Sequence, residues 1–261
     1  MLIAISPAKR LDWTPRPDVT MTMPDFAEDA VYLANVARRL SKPKLQDLMG
    51  ISVDLARLNQ TRFREFSDAP SKEVLRPAAL AFAGDTYAGL EAGSLDAEEL
   101  AWAQDHLRIL SGLYGLLRPL DAIQAYRLEM GSRLKTRKGP TLYAYWGDRL
   151  AKTLRAQASD LGTDTLVDCA SAEYFGAVDS KALGLRFIKP VFLEERPSGD
   201  AKIISFFAKK ARGAMARFII QRRVTDAAGL ADFDLGGYRY DPARSQPDQP
   251  VYLRPAEAAA A

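Results

Sequence analysis

The sequence predicts one domain of the mixed α/β class. Short apolar segments typical of strands alternate irregularly with longer segments of helical periodicity, and no regular βαβ repeat is visible. A length of 261 residues fits one domain, and no linker or shift in composition divides the chain. We therefore expect a mixed sheet with surrounding helices over residues 1–255, followed by a frayed alanine-rich tail at 256–261.

Each element is predicted from its own local pattern. Apolar runs bounded by turn residues predict strands, and apolar residues spaced three and four apart predict helices, with Asp96 as the N-cap of one of them. The segments at 185–195 and 201–207 flank Arg-Pro-Ser-Gly-Asp and predict a β-hairpin. In chain order we expect a strand at 2–6, a helix at 24–40, short helices within 43–66, a strand at 78–85, a helix at 96–107, a strand at 108–112, a helix at 143–162, a strand at 164–171, the hairpin, a basic helix, and a strand at 250–255.

Composition excludes several classes of function. Apolar residues make up 48% and charged residues 26% of the chain, with a net charge of +3, as in ordinary soluble proteins. No run approaches the length of a membrane span, and the start does not resemble a signal peptide, so we expect a cytoplasmic protein. One His and one Cys cannot form a metal cage, and no Walker or Rossmann pattern is present. We therefore expect no metal and no cofactor.

Residues 202–223 form the most unusual segment because they carry seven cations and no acid. On a helical wheel five of these cations fall within an arc of about 160°, and an apolar set falls opposite. A solvated amphipathic helix would explain this, but exposed helix faces usually mix charges of both signs. A polyanionic partner is the alternative. The cations are Lys209, Lys210, Arg212, Arg217 and Arg223, and the apolar set is Phe207, Ala211, Ala214, Met215 and Phe218. The small residues Ala208, Gly213 and Ala216 predict close approach of another element.

Residues 45–63 predict two helices joined by the tight turn Leu48-Met-Gly-Ile-Ser52. This spacing is similar to the helix-hairpin-helix pattern, in which backbone N–H groups at the start of the second helix hold a phosphate. Gly50 fits the turn, Ser52 replaces a glycine and is a candidate cap, and Lys44 adds charge. An ordinary αα-hairpin with Gly50 as the C-terminal cap remains the alternative.

Other polar residues are weaker candidates for chemistry. Ser6 and Lys9 have the S-x-x-K spacing of serine acyl enzymes, although Ser6 is more simply a helix N-cap and Lys9 a cation lining a cleft. Asp168 and Glu173 surround the end of a strand, where α/β folds commonly place sites. Arg118, Arg127 and Glu129 belong to a buried ion-pair network or to a site. Cys169 is expected to be an inert buried thiol, and His106 a structural residue at a helix end.

Several long motifs together resemble one family. ISPAK, AFAGDTY, LSGLYGLLRPLDAIQAYRLEMG, YWGD, ASAEYF and ISFFAKKARGAMARFI occur in the order seen in the YaaA family of bacterial peroxide stress resistance proteins, from Met1 to about Arg254. The resemblance implies a single compact "cantaloupe" fold and a cytoplasmic protein that limits iron-dependent damage by peroxide. It also implies DNA binding through the helix-hairpin-helix at 48–52 and through Lys209, Lys210 and Arg212. Two positions depart from the family: Ala125 where proline is usual, and Asp168 where asparagine is frequent.

Two hypotheses of function follow. The first is a non-enzymatic binder of double-stranded or structured DNA with weak sequence preference, active in the oxidative stress response and in iron homeostasis. The second is an enzyme that acts on a phosphorylated or carboxylated small molecule in a basic cleft. Asp168, Glu173 and Lys9 are weak catalytic candidates. The residues expected to bind DNA or an anion are Lys9, Lys44, Gly50, Ser52, Arg118, Arg127, Lys209, Lys210, Arg212 and Arg217.

Overall fold

Helices and strands alternate along residues 1–256, the part of the chain that the computed structural model describes. The strands are β1 (Leu2–Ile5), β2 (Arg10–Leu11), β3 (Arg76–Pro77), β4 (Phe82–Ala83), β5 (Leu107–Ser111), β6 (Gly115–Leu117), β7 (Ala122–Ile123), β8 (Thr165–Cys169), β9 (Arg186–Ile188), β10 (Val191–Glu195), β11 (Ala201–Lys202), β12 (Arg239–Tyr240) and β13 (Val251–Arg254). The α-helices are α1 (Ala27–Arg38), α2 (Lys42–Met49), α3 (Val53–Glu65), α4 (Ala78–Ala81), α5 (Asp85–Leu90), α6 (Ala97–His106), α7 (Leu142–Trp146), α8 (Arg149–Asp160), α9 (Ala172–Phe175), α10 (Ser180–Leu183) and α11 (Ser205–Arg222). Turns of 3₁₀ helix lie at Lys72–Val74, Ala92–Ser94, Ala227–Asp232 and Leu235–Gly237.

The larger sheet has the strand order β6-β5-β1-β8-β9. Strands β5, β1, β8 and β9 run parallel, and β6 returns antiparallel to β5. Every residue of β1, β5 and β8 is buried, so the middle of this sheet is covered on both faces, as parallel sheets usually are. The carboxyl ends of these strands lie along one edge, and the residues that follow Ile5, Ser111 and Cys169 therefore meet there.

The smaller sheet has the order β11-β10-β13-β12, with β10 and β13 parallel. The predicted hairpin is confirmed where β10 pairs antiparallel with β11 and Glu195 lies opposite Ala201, but the expected second strand at 201–207 ends at Lys202 and α11 begins at Ser205. Its first part is different: β9 joins the larger sheet, and Lys189-Pro190 separates it from β10. Pro190 lacks the N–H that would continue a regular ladder. Two-stranded ladders β2–β4 and β3–β7 lie outside both sheets.

Helix α11 is buried over most of its circumference, so the predicted division into one apolar and one cationic side is wrong. Gly213, Ala216 and Ile220 are buried within the arc that was expected to be cationic and exposed. The reason is that α5 crosses α11 at very short range. A Cβ added to Gly213 would lie 1.7 Å from the carbonyl oxygen of Thr86, and one added to Gly89 would lie 2.0 Å from that of Lys210. The predicted close approach of another element is confirmed at Gly213.

Several local predictions are confirmed and others are not. Helix α6 begins at a capping box, in which Asp96 accepts from Glu99 N at 2.8 Å and Glu99 accepts from Asp96 N at 2.9 Å. The predicted helix at 143–162 is broken into α7 and α8 by Gly147, whose φ is +54°. The predicted strand at 78–85 is mostly helix α4, followed by the two-residue strand β4.

One apolar core unites these elements, from Met1 to Tyr252, and confirms the mixed α/β class. No helix in residues 1–256 is long and apolar enough to cross a membrane. The predicted frayed tail lies outside the described residues, except for Ala256.

Candidate functional site

The carboxyl edge of the larger sheet is organised by hydrogen bonds between the ends of β1 and β8. Ser171 N donates to Ser6 Oγ at 2.9 Å, and the Tyr87 hydroxyl donates to the Ser6 carbonyl at 3.1 Å. Ser6 is therefore not a helix N-cap, because it follows β1 directly and no helix begins at Pro7. Within the described residues no hydrogen bond joins Ser6 to Lys9, so the arrangement does not favour an acyl-enzyme pair.

Two cations from separate segments contact the carboxylate of Glu129. Arg127 donates to Glu129 Oε1 from Nε at 3.0 Å and lies 2.9 Å from it through Nη2, and Lys9 Nζ lies 3.6 Å from the same oxygen. Arg62 reaches this region from α3. Burial and the positive charge of Arg127 lower the pKa of the Arg62 guanidinium. The structure thus brings the predicted residues Lys9, Arg127 and Glu129 together and adds Arg62. We call Lys9, Arg62, Arg127 and Glu129 the edge cluster.

The second oxygen of the Glu129 carboxylate is unusual. The side chain is only 12% exposed, and Oε2 is buried without a hydrogen-bond partner in residues 1–256. A buried acceptor that lacks a donor is destabilising, so this carboxylate is held in place by its cations at some cost. The edge cluster contains three cations and one carboxylate, and Glu173 adds a second carboxylate beside it.

Glu173 and Tyr174 close the cluster on the β8 side. Glu173 Oε1 accepts from Gly131 N at 2.9 Å, and its carbonyl accepts from the Tyr143 hydroxyl at 2.8 Å. Tyr174 is buried, and this burial raises the pKa of its hydroxyl. The cleft between Tyr174 and Lys9 encloses only about 10 Å³. That is roughly the space of one water molecule, so the cleft is a surface feature rather than a deep pocket.

The hairpin of α2 and α3 places a tight turn at the predicted position. Gly50 has a φ of +60°, a left-handed conformation that glycine adopts without strain. Ser52 is the N-cap of α3, as predicted, and its hydroxyl accepts from Leu55 N at 3.3 Å. Lys44 is exposed on α2. Arg62 of the edge cluster lies in the last turn of α3, about 15 Å along the helix axis from Ser52 at its start.

The cations of the basic helix point in different directions. Lys209 and Lys210 are exposed, and Arg212 is half-buried near Asp168. Arg217 donates to the carbonyl oxygens of Leu90 and Glu91 at 3.1 and 3.0 Å, which caps the C-terminus of α5. The last cation of the predicted arc, Arg223, donates to Glu98 at 2.9 Å on α6. The helix therefore does not present one continuous cationic surface.

Arg118 does not join the edge cluster. Its Nε lies 3.1 Å from Asp121 Oδ1, and its Nη2 lies 3.6 Å from Asp25 Oδ1 and donates to the carbonyl of Met23 at 2.8 Å. This network is structural in character, because each nitrogen named here already has an acceptor.

Asp168 and Cys169 lie beneath the sheet edge rather than on it. Asp168 is 2% exposed and accepts from Ala170 N at 2.9 Å. Burial raises the pKa of Asp168 to about 6, although Lys189 and Arg212 act in the opposite direction. Burial also raises the pKa of the Cys169 thiol, in agreement with the expected inert cysteine. Substrate cannot reach Asp168 in this arrangement, so the geometry does not favour it as a catalyst.

His106 ends α6 and is structural, as predicted. Its ring stacks on Trp102 with centroids 3.7 Å apart, and Nδ1 lies 2.9 Å from the Met1 carbonyl. Among the described residues no group of three or more His, Cys, Asp or Glu side chains is placed to hold a metal ion.

Sequence reasoning missed one polar network completely. Arg254 pairs with Glu194 at 2.7 Å, and its guanidinium stacks over Phe207 and Tyr238. These residues come from β13, β10, α11 and the residue before β12, and neither charged residue lies in a motif. Only the long-range fold reveals the network.

The fold and the edge cluster define a mixed α/β protein with a cluster of charged side chains at the carboxyl edge of its larger sheet and a helical hairpin formed by α2 and α3. A family model described as "Peroxide stress protein YaaA" matches residues 1–244. The chain belongs to this family.

The chain also has close relatives with matching lengths. It is 69% identical to UPF0246 protein SPO0106 of Ruegeria pomeroyi over 255 residues, which cover 98% of this chain and 99% of the relative. It is 65% identical to UPF0246 protein RD1_0358 of Roseobacter denitrificans over 256 residues, which cover 98% of each chain. A UPF0246 protein of Cereibacter sphaeroides, Rsph17025_0016, is 54% identical, with coverage of 98% of this chain and 100% of the relative. These names state no activity.

Proposed function

We propose that this protein contributes to peroxide resistance by binding DNA, largely through phosphate contacts at the edge cluster and the α2–α3 hairpin. The observation that supports this most directly is that Lys9 and Arg127 both contact Glu129 Oε1, while Arg62 lies close enough to feel the charge of Arg127. Burial and the positive charge of Arg127 lower the pKa of Arg62. An anion placed beside these cations would relieve their mutual repulsion.

The shape of the edge favours a large anion that lies across it. The cleft between Lys9 and Tyr174 holds only about 10 Å³, so it does not enclose a small molecule. Lys9 is 65% exposed and can reach outward from the sheet edge. A DNA backbone presents a row of phosphates that could contact Lys9 and the neighbouring guanidinium groups together.

The hairpin would add backbone donors to these cations. In the helix-hairpin-helix mode, N–H groups at the start of α3 point at a phosphate, and the helix dipole favours the negative charge. The Ser52 hydroxyl now accepts from Leu55 N at 3.3 Å, which is a long bond that a phosphate oxygen could replace. Lys44 would hold a neighbouring phosphate, and Gly50 keeps the turn narrow.

The proposed contacts position DNA without reading bases. Lysine, arginine and backbone N–H groups bind phosphate oxygens, whereas adenine readout usually requires Asn or Gln side chains and guanine readout a bidentate Arg or Lys in the groove. We therefore expect double-stranded or structured DNA as the partner, with weak sequence preference. Bound along the backbone, the protein would limit iron-dependent oxidation of the DNA that it covers.

A salt titration tests the proposal. With about 4–6 phosphate contacts, the slope of log K against log salt should be near −4 to −5 on a labelled duplex. Replacing Lys9 and Lys44 together with Gln should reduce the magnitude of the slope by about 2 and weaken binding alike on unrelated sequences. Lys152→Gln, which removes an exposed charge on α8, is the matched control. A slope near zero for the wild-type protein would exclude the phosphate mechanism.

A second candidate function is an enzyme acting on a phosphorylated or carboxylated small molecule at the same edge. The unpartnered Glu129 Oε2 and the nearby Glu173 favour it, because two carboxylates beside cations can serve as acid and base. The small volume of the cleft argues against an enzyme that encloses its substrate there. Incubation with a panel of such compounds, followed by NMR, should reveal turnover that Glu173→Gln abolishes. If no compound turns over, this candidate is rejected.

A further inference from the structure

A second cation-lined cavity lies between α5, α11 and the 3₁₀ turn Leu235–Gly237. It encloses about 290 Å³ and shares no lining residue with the cleft of the edge cluster. Its volume is near the lower end of small-ligand pockets, about 300 Å³. The cavity is thus far larger than the cleft at the sheet edge.

Three cations line this cavity and one carboxylate accompanies them. Lys210 is exposed and makes no ion pair with any residue from 1 to 256. Arg217 is held against the end of α5 and lies 3.9 Å from Glu91, the lining carboxylate, which is 61% exposed at the rim. Arg254 is the third cation. The lining residues therefore carry a net positive charge, and Lys210 is the lining cation that has no ion-pair partner in residues 1–256.

Arg254 is fixed in position from several sides. Its Nε donates to Glu194 at 2.7 Å, and its guanidinium lies 4.2 Å from the centre of the Phe207 ring and 5.4 Å from that of Tyr238. The Tyr238 hydroxyl donates to the other oxygen of Glu194. Nη2 of Arg254 has no acceptor in the described part of the chain. A buried donor without an acceptor is unfavourable, so the fixed guanidinium keeps unused capacity to bind an anion at the cavity wall.

The remaining wall is apolar. Ala88, Ala211, Ala214 and Leu235 line it beside the ring of Tyr238. An apolar wall with a few fixed polar groups at one end is the usual construction of a small-molecule site. The cations would bind the charged group of a ligand, and the apolar wall would contact its body.

We infer that this cavity binds a small organic anion, with one carboxylate or phosphate group carried on an apolar or aromatic body. The charged group lies beside Lys210 and Arg254, and the body lies between Ala214 and Leu235. This site is independent of the proposed DNA contacts at the sheet edge, so either can fail without the other.

Calorimetric titration with phenyl phosphate and benzoate, in the absence of DNA, tests the inference. We expect saturable binding of at least one of these probes and none of benzylamine, which has a similar ring and the opposite charge. The tighter of the two anions identifies the preferred charged group. Absence of saturable binding by both anions would overturn the inference, as would equal binding of benzylamine.

Two substitutions locate the binding site. Lys210→Gln should lower the affinity for the preferred anion about tenfold or more, because a charge-assisted hydrogen bond is lost. Lys209→Gln is the matched control, since it removes the neighbouring exposed charge on the same helix but does not line the cavity. Its effect on anion affinity should stay within about twofold. Equal weakening by both variants would indicate general charge attraction and contradict the assignment.

Ala214→Leu provides a steric test that keeps every cation in place. The larger side chain should fill the cavity and weaken anion binding at least tenfold, while thermal unfolding confirms that the variant is folded. If a folded Ala214→Leu protein binds the anion as tightly as wild type does, the ligand lies elsewhere and the inference is wrong.

Discussion

At the scale of single residues, Asp168 shows how burial changes the chemistry of a side chain. It lies 2% exposed at the end of β8, and burial raises its pKa to about 6. Its ordinary value is 3.8. The folded protein therefore favours the protonated carboxyl, and its stability falls as the pH rises from about 4 through about 6. Above about pH 6 the buried carboxylate is charged, and the free energy of unfolding stays lowered by a constant amount.

Asp168→Asn should remove this penalty. We expect the variant to be more stable than wild type by about 1–3 kcal/mol at pH 7.5, with the difference vanishing near pH 4. An asparagine Oδ1 can still accept from Ala170 N, so the local turn is kept. Urea denaturation at both pH values measures the effect, and Asp47→Asn on the surface of α2 is the control. An Asn variant that is less stable at pH 7.5 would mean that Lys189 and Arg212 outweigh burial.

Residue identity alone predicted parts of the candidate site. Lys9, Arg127 and Glu129 are recognisable from the sequence because they stand in polar motifs. The ion pair of Arg127 with Glu129 was one of the two expected alternatives, whereas the approach of Lys9 depends on the segment after β1 meeting the loop before α7 at one sheet edge. Arg254 carries no local signal, so its network with Glu194 could only be found in the folded molecule.

At the scale of elements, the crossing of α5 and α11 decides the environment of the basic helix. The helical wheel groups five cations of α11 on one arc, but it does not show that α5 packs against part of the same arc. Gly213 is the contact point, with a hypothetical Cβ 1.7 Å from the Thr86 carbonyl oxygen. A single-helix pattern predicts which residues share a face and leaves open which element packs against it.

Gly213→Ala should be strongly destabilising for this reason. Alanine improves helix propensity by about 1 kcal/mol, but its methyl group would collide with backbone that has little freedom to move. We expect a net loss of about 2 kcal/mol or more in the free energy of unfolding. Gly93→Ala is the control, because a Cβ there has no neighbour within 4 Å, and its effect should be within about 0.5 kcal/mol. Chemical denaturation measures the free energy of unfolding of both variants. Similar losses for Gly213→Ala and Gly93→Ala would contradict the close packing of α5 against α11.

The predicted elements differ in how well local signals defined them. Helix α6 was predicted well, since Asp96 and Glu99 form a cap that depends only on neighbouring residues. The helix expected at 143–162 was wrong because Gly147 has a φ of +54°, a conformation that the surrounding helical periodicity does not reveal.

At the scale of the whole molecule, one core joins the two sheets. Tyr252 of β13 is fully buried, stacks on Phe192 of β10 and donates to the Leu230 carbonyl at 2.7 Å. None of the three tryptophans, Trp13, Trp102 and Trp146, lies in the smaller sheet. Tryptophan fluorescence therefore reports on the part of the fold outside the smaller sheet.

Tyr252→Ala should destabilise the molecule as one unit. A large buried aromatic is lost, and the expected cost is about 3–5 kcal/mol. If the core is cooperative, tryptophan fluorescence and far-UV circular dichroism should shift together to the same lower denaturant midpoint. Phe206→Ala, which removes a ring that is 54% exposed, should cost much less. An early transition in circular dichroism, with unchanged fluorescence, would instead show that the smaller sheet unfolds separately.

The parallel pairing of β10 with β13 has a consequence for synthesis on the ribosome. β13 is an inner strand of its sheet, yet it leaves the exit tunnel well after its partner, because residues 196–250 are made between them. During that interval one side of β10 has no neighbour, and the nascent chain exposes a bare strand edge that invites pairing with other chains. Ribosome-bound chains that stop short of Val251 should therefore be the ones that chaperones retain.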